Sequence, residues 1–347
     1  LNQRLFFLLV GGSFLLAAIS HYFLQNEFIR FATAALAIIF LAAWLGKSTE
    51  SVAHYAGDRI GGFLNATFGN AAELIIAFFL VKEGLFDMVK ASITGAIIGN
   101  MLLVLGLSVL LGGLKYKEQT FNGVLAGHNA SLMTLALVAL FIPAVFMKEL
   151  PVERVDTLSI VIAVILIVAY VLWLIFSMVT HKEFLSDIEP HDSEAVWSKG
   201  VSILMLILST FFVAVVSEWL VHSVEIVTHT LGWSEMFVGA FVIAIIGNAA
   251  EHSAALLLAM KNRIGAAVEI AIGSSLQIAL FVAPTLVLLS LLFGSTMNIV
   301  FSPFELAAIG VATFITISIS RDGTTNWFEG VLLLAVYLIL GTAFYFV

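Results

Sequence analysis

About eleven stretches of some 20 mostly apolar residues follow one another along the chain, and that spacing decides what it can become. They fall at roughly 3–20, 27–46, 60–81, 89–113, 121–146, 157–179, 200–222, 235–260, 265–292, 303–320 and 327–346. In hydrocarbon each backbone N–H and C=O has to be satisfied within its own segment, so the runs read as helices rather than isolated strands. Of 347 residues, 61% are hydrophobic and only 11% charged, whereas a soluble domain carries about 25% charged residues. The expected fold is an all-α integral membrane protein with the lipid bilayer as its solvent. Residues 5–19 are taken as a span and not a signal peptide, because no small-residue cleavage site and soluble domain follow.

Charge and cysteine content narrow the function. The net charge is −8, with no basic, aromatic-interleaved patch for a nucleic acid. Cysteine is absent, which removes disulfides and thiolate metal sites. Lys and Arg sort unevenly between the two sides. Arg4, Lys47, Arg59, Lys115, Lys117, Lys182, Lys199, Lys261, Arg263 and Arg321 fall on one side, and Arg30, Lys82, Lys90, Lys148 and Arg154 on the other. The positive-inside rule then predicts a cytosolic N-terminus and an extracytosolic C-terminus.

Inside this apolar background one word occurs twice. Gly69-Asn70-Ala71-Ala72-Glu73 recurs as Gly247-Asn248-Ala249-Ala250-Glu251. A carboxylate at a bilayer centre costs about 2.5–3.5 kcal/mol on insertion scales, so placing the same acid in the same word twice points to a ligand or proton that needs both. At a displacement of 178 residues the copies align without a gap from Ala66 to Gly106 and from Ala244 to Pro284. The polar gap at 181–198 holds Glu183, Asp187, Glu189, Asp192 and Glu194 against Lys182 alone. It reads as an acidic cytosolic linker. The predicted organisation is an N-terminal extra helix at 1–26, one repeat at 27–180, the linker, and a second repeat at 199–347. Each repeat has an odd number of spans, so the second enters the membrane with opposite orientation. That is the inverted-repeat plan of secondary transporters, whose sites lie near the midplane.

On a helix Asn70 and Glu73 share a face, as do Asn248 and Glu251. Gly69 and Gly247 would permit local breaks that free backbone carbonyls, which are tolerated at depth only where they line a cavity. Asn100 and Gln277 fall near each other in the alignment and would complete an all-oxygen shell. Such a shell suits a hard cation, and Ca²⁺ accepts 6–8 oxygens in flexible geometry. Two carboxylates neutralise one divalent ion. Emptied of it, they repel each other unless protons arrive, so protons and cation compete, as an antiporter requires. Glu50, Glu225, His252, His128, Ser274 and Ser275 are candidates for a proton or cation pathway. Imidazole titrates near neutrality, although a packing role for either histidine is equally consistent with its position. Gly95 and Gly99 read as helix packing or as ligands, and Glu305 as an interfacial carboxylate. No H-E-x-x-H spacing exists, so a metalloenzyme is not indicated.

The repeated Gly-Asn-Ala-Ala-Glu word, its lead-in Gly62-Phe63-Leu64-Asn65-Ala66-Thr67-Phe68, and Gln277-Ile278-Ala279-Leu280-Phe281-Val282-Ala283-Pro284 together resemble the CAX-type calcium/proton exchangers of the Ca²⁺:cation antiporter superfamily. The Gly-Thr-Ser words of the sodium/calcium branch are not found. The resemblance covers the chain from the second span to the last and is closest to a compact bacterial form in the plasma membrane. It implies a non-enzymatic antiporter that exports cytosolic Ca²⁺ against protons by alternating access and has no resident cofactor. By motif, Glu73 and Glu251 would be the ligands and proton acceptors, assisted by Asn70, Asn248 and Gln277. The same fold exchanging Mn²⁺ or Na⁺, or a passive cation channel, are the rival readings, and a homo-oligomer is left open.

Overall fold

The structure, a computed structural model, describes residues 2–146, 149–180 and 196–347; the side chains of several helical residues, His128 among them, lie outside the described set, as does most of the acidic linker. The chain opens with α1 (Gln3–Phe23), followed by the long α2 (Glu27–Phe68) and the short α3 (Ala71–Lys82). Next come α4 (Phe86–Ile98), a π-helical turn at Gly99–Val104, and α5 (Leu105–Tyr116). Then α6 (Gly123–Phe146) and α7 (Val152–Ile175) complete the first part. The second part holds α8 (Lys199–Leu231), α9 (Glu235–Phe237), a π turn at Val238–Ile243, and α10 (Ala244–Ala259). It ends with α11 (Ile264–Gln277), a π turn at Ile278–Val282, α12 (Ala283–Ser290), α13 (Pro303–Ser320) and α14 (Trp327–Tyr345).

Among the described residues nine helical segments are long and apolar enough to cross a membrane, with Ser131–Phe146 a shorter apolar stretch. Together with α3 and the part of α2 beyond its bend, these make up the expected eleven crossings. Their outer faces carry exposed Leu8, Ile207, Phe314 and Leu338, the surface a lipid-facing bundle needs.

Three details differ from the sequence reading. The second and seventh spans are longer than predicted: α2 runs straight to Gly57, whose φ of 77° makes the bend, and α8 runs to Leu231. Positive φ is open to glycine at no steric cost. Glu50 and Glu225, which lie past the predicted ends of these spans at 46 and 222, are consequently exposed residues within continuous helix. Glu305, expected at the interface, is 3% exposed. Its carboxylate accepts from the Ser302 backbone N–H (2.7 Å) while Ser302 Oγ accepts from the Glu305 N–H (3.2 Å). This capping box starts α13. Finally, an otherwise helical chain contains a two-stranded antiparallel ribbon, β1 (Glu118–Thr120) against β2 (Thr324–Asn326), with Gln119 opposite Thr325.

Contacts between distant segments fix which loops share an end of the bundle. Tyr55 Oη donates to the Trp197 carbonyl (2.9 Å), and Ser51 and Ser202 hydroxyls meet at 2.8 Å. Lys115 Nζ and Tyr116 Oη both donate to the Met260 carbonyl, and Gln119 Nε2 to Asn262 Oδ1. Lys47 Nζ lies over the Phe6 ring, 3.7 Å from its centroid. Followed along the successive crossings, the two sets of contacts fall at the same end, so Lys47, Lys115, Lys199, Lys261 and Arg263 lie at one end, here the basic end. Lys82 pairs with Glu218 (3.0 Å) at the other.

The ribbon lies at the basic end, where α5 and α14 pack at their closest. A β-carbon on Gly330 would meet the Leu110 nitrogen and stand 2.7 Å from the Gly106 carbonyl oxygen. Small residues allow this backbone approach. Gly95 serves the same purpose between α4 and the Val238–Ile243 turn, where a β-carbon would strike Ala240. That supports the packing reading for Gly95, whereas a β-carbon on Gly99 would meet open space.

Candidate cation site

The two repeated words meet in the middle of the bundle, but their backbones differ. In the first copy the helix is interrupted: α2 ends at Phe68, and Asn70 (φ −93°, ψ 22°) is the residue from which α3 starts afresh. In the second copy Gly247 and Asn248 lie within unbroken α10. The break expected at both glycines therefore occurs only at Gly69. In the second copy the irregularity comes earlier, in the Val238–Ile243 π turn, a wider i→i+5 turn that loosens the backbone without ending the helix.

Gly247 makes room for the other word's acid, whereas Gly69 only lies in ordinary contact with its counterpart. A β-carbon on Gly247 would stand 2.9 Å from Glu73 Cγ, and one on Gly69 would stand 3.6 Å from Glu251 Oε1 and 3.7 Å from Gln277 Oε1. Asn70 Nδ2 donates to Gln277 Oε1 at 2.5 Å, across 207 residues of sequence. Ser274 Oγ donates to Glu251 Oε2 at 2.5 Å. Asn70, Glu73, Glu251, Ser274 and Gln277, four of them expected as ligands and Ser274 on the pathway, thus lie together in one group.

Three oxygens in this group are buried with no hydrogen bond of normal geometry to any described residue: Asn70 Oδ1, Glu73 Oε1 and Glu73 Oε2. The Asn248 side chain lies within hydrogen-bonding reach of the Glu73 carboxylate without the alignment of a normal bond, and the Glu251 carboxylate is near enough to repel it. Buried polar atoms are nearly always paired. Leaving one acceptor unpaired costs about 1–3 kcal/mol, and more for a charged group. Three orphaned oxygens beside a second carboxylate form a nest for a positive ion. Among the described residues the buried free atoms of this group are all oxygens, which suits a hard cation. No cluster of three or more His, Asp or Glu suited to hold a metal occurs among the described residues; the donor set is two carboxylates completed by amide and hydroxyl oxygens.

A second group adjoins the first. Asn248 Nδ2 donates to the Ala244 carbonyl (2.9 Å), and Asn100 Nδ2 reaches Asn248 Oδ1 at 3.5 Å. His252 Nε2 meets Asn100 Oδ1 at 3.2 Å, the donor depending on the imidazole tautomer. Asn100 and Asn248 hence act as links in a polar chain toward His252. Their amide oxygens are already engaged, unlike that of Asn70.

The remaining candidates separate. Ser275 Oγ donates to the Ala271 carbonyl (2.8 Å) and reaches the Ile97 carbonyl (3.4 Å), tying α11 to α4 and away from the site. Glu50 and Glu225 lie toward opposite ends of the bundle. The His128 side chain lies outside the described residues.

The sequence reading did not include the π turns. Gly99–Val104 and Ile278–Val282 occupy matching places in the two alignable segments and hold Asn100 and, one residue ahead of the second turn, Gln277. Thr316 Oγ1 donates to the Met101 carbonyl within the first turn (3.2 Å). Pro284, which has no N–H to give a helix, just behind the second was the one available signal. Glu269 was also passed over, although a glutamate in an apolar run is itself a signal.

Comparison with known proteins shows the family. The family described as "Sodium/calcium exchanger protein" matches residues 26–179 and again 201–346. The Ca²⁺/H⁺ antiporter ChaA of Bacillus subtilis is 46% identical over 348 residues, covering 99% of each chain. A Ca²⁺/H⁺ antiporter of Aphanothece halophytica is 45% identical, over 95% of this chain and 94% of that one. A solved structure of native YfkE superposes with a TM-score of 0.86 at 44% identity, over 99% of this chain and 100% of that one.

Proposed function

The chain belongs to the sodium/calcium exchanger protein family and, within it, to the Ca²⁺/H⁺ antiporter branch, and from that premise we propose how it works: Glu73 and Glu251 bind either one Ca²⁺ or protons, and the exchange of one for the other drives Ca²⁺ across the membrane. The observation that carries the reading is the set of orphaned oxygens, Asn70 Oδ1 and both carboxylate oxygens of Glu73. They belong to one copy of the word and are buried beside Glu251 of the other. Such a site is stable when filled, by a divalent ion that satisfies both carboxylates or by protons that discharge them. Empty and doubly charged, it is costly in a low-dielectric interior. That coupling is the thermodynamic core of an antiporter.

Asn70 and Gln277 join the two words by their hydrogen bond, and Ser274 orients Glu251. Asn100, Asn248 and His252 form the neighbouring polar chain along which a proton can leave. We read 27–180 and 199–347 as inverted halves of one design. The family's sequence pattern matching twice, over 26–179 and 201–346, supports this. The basic end faces the cytosol of a bacterial plasma membrane, following the excess of Lys and Arg there.

Purified protein in proteoliposomes, with an imposed pH gradient and simultaneous readout of Ca²⁺ and internal pH, tests the reading. Ca²⁺ flux driven by the gradient, with protons moving the other way and both lost in Glu73→Gln, is the expected result. Ca²⁺ movement without protons would overturn it.

A further inference from the structure

One buried carboxylate has no task in this scheme. Glu269 lies on α11, half-buried within a membrane-spanning segment, and makes no hydrogen bond or ion pair to any described residue. An unpaired carboxylate in such a place is expensive and is by default a mark of function.

Its position along α11 says what that function is. The helix is mostly buried, but Glu269, Gly273 and Gln277 are each partly exposed, with Ala266 and Ile270 beside them, while Ile272, Ser274, Ser275 and Leu276 are buried. Spacings of four keep the three on one side of the helix, over about 12 Å of rise. Gln277 fixes where that side points, because its Oε1 is bonded to Asn70 in the site and not turned to lipid. Between the two polar residues, a β-carbon on Gly273 would find nothing within 4 Å. Across from Gln277, Gly69 is exposed although it lies midway through a membrane crossing, and Asn65, one turn nearer the basic end, is exposed too. An open strip therefore runs from the basic end, past Glu269 and Gly273, to the orphaned oxygens.

We infer that Glu269 is a way-station for the transported divalent cation on the basic-end approach to the central site, attracting the ion and handing it to Gln277, Glu251 and Glu73. The inference rests on the antiporter reading above. A lone negative charge in a narrow low-dielectric cleft concentrates cations there. Having no fixed counter-ion, Glu269 is free to hold one and release it.

The test separates the two faces of the membrane. In proteoliposomes sorted by orientation, Glu269→Gln should raise the KM for Ca²⁺ presented to the basic-end face by about tenfold, with the maximal rate kept. The KM for Ca²⁺ presented to the opposite face should not move, and Glu269→Asp should restore most of the loss. A KM unchanged on both faces, or raised equally on both as a merely structural residue would produce, overturns the inference. Wild-type protein that fails to exchange Ca²⁺ for protons would overturn the parent reading instead. An independent check uses the absence of native cysteine. Gly273→Cys should react with a membrane-impermeant maleimide added to the basic-end face; no reaction from that face would show that the strip is closed and that Glu269 lies off any path.

Discussion

Gly247 of one word leaves the space that Glu73 of the other fills: a β-carbon there would stand 2.9 Å from Glu73 Cγ, closer than real β-carbons come to a neighbour. Gly247→Ala should therefore fold, since alanine is a good helix residue, but push the Glu73 carboxylate out of place. A displacement of this kind lowers transport by about ten- to a hundredfold. Gly200→Ala in α8, away from the site and with open space around its new methyl, is the control. If Gly247→Ala transports like wild type, this packing has no bearing on the site.

Charge at the two glutamates is the centre of the scheme. Glu73→Gln and Glu251→Gln should each abolish exchange, because glutamine neither carries the proton nor neutralises the ion. Counterflow of Ca²⁺ and protons in vesicles is the measurement. Activity surviving in both variants would remove these residues from the site.

The asparagines of the two words are not equivalent. Asn70 presents an unpaired buried oxygen, whereas the Asn248 oxygen is engaged by Asn100. Asn70→Ala removes one oxygen ligand and leaves Gln277 without its donor, a loss of about 1–3 kcal/mol, so Ca²⁺ affinity should fall about tenfold. Asn248→Ala should affect proton movement more than Ca²⁺ affinity. Calorimetric titration of Ca²⁺ in detergent distinguishes them, and equal losses of affinity would contradict the asymmetry.

Acidification should weaken Ca²⁺ binding. Protons occupy the same carboxylate oxygens, so apparent Kd rises as pH falls, by about tenfold per pH unit for each proton displaced. A Kd flat between pH 8 and pH 6 would rule out competition at a shared site.

The capping box at the start of α13 makes a separate claim about stability. Ser302→Ala deletes the acceptor for the Glu305 N–H and leaves Glu305 half-engaged in a buried position. The loss should be about 1 kcal/mol, seen as a Tm a few degrees lower, with transport intact at low temperature.

The sequence made the membrane class, the crossings and the central pair legible because each rests on a strong local signal: long apolar runs, and acids repeated in a fixed word. Gln277 was found because it aligned near Asn100, yet its bond to Asn70 was not foreseeable, as no local pattern encodes a contact across 207 positions. The two words looked alike and fold differently, since a π turn depends on neighbouring packing and not on the residues within it. Ser275 shows the reverse error. Adjacent to Ser274 and chemically identical, it faces the wrong way on the helix and bonds to the Ala271 carbonyl. Hydropathy alone ends the second and seventh spans at 46 and 222, ahead of Glu50 and Glu225, because it cannot see that α2 and α8 extend past the apolar core.

The β1–β2 ribbon and the backbone contact at Gly330 have a mechanical consequence. They rivet α5 to α14, helices distant in sequence, at the basic end. Parting those two helices would mean breaking a strand pair and opening a glycine-tight seam together. A stroke that opens or shuts this end must swing them as a single lever, with its compliance supplied elsewhere, at the Gly57 bend and the interrupted turn at Asn70.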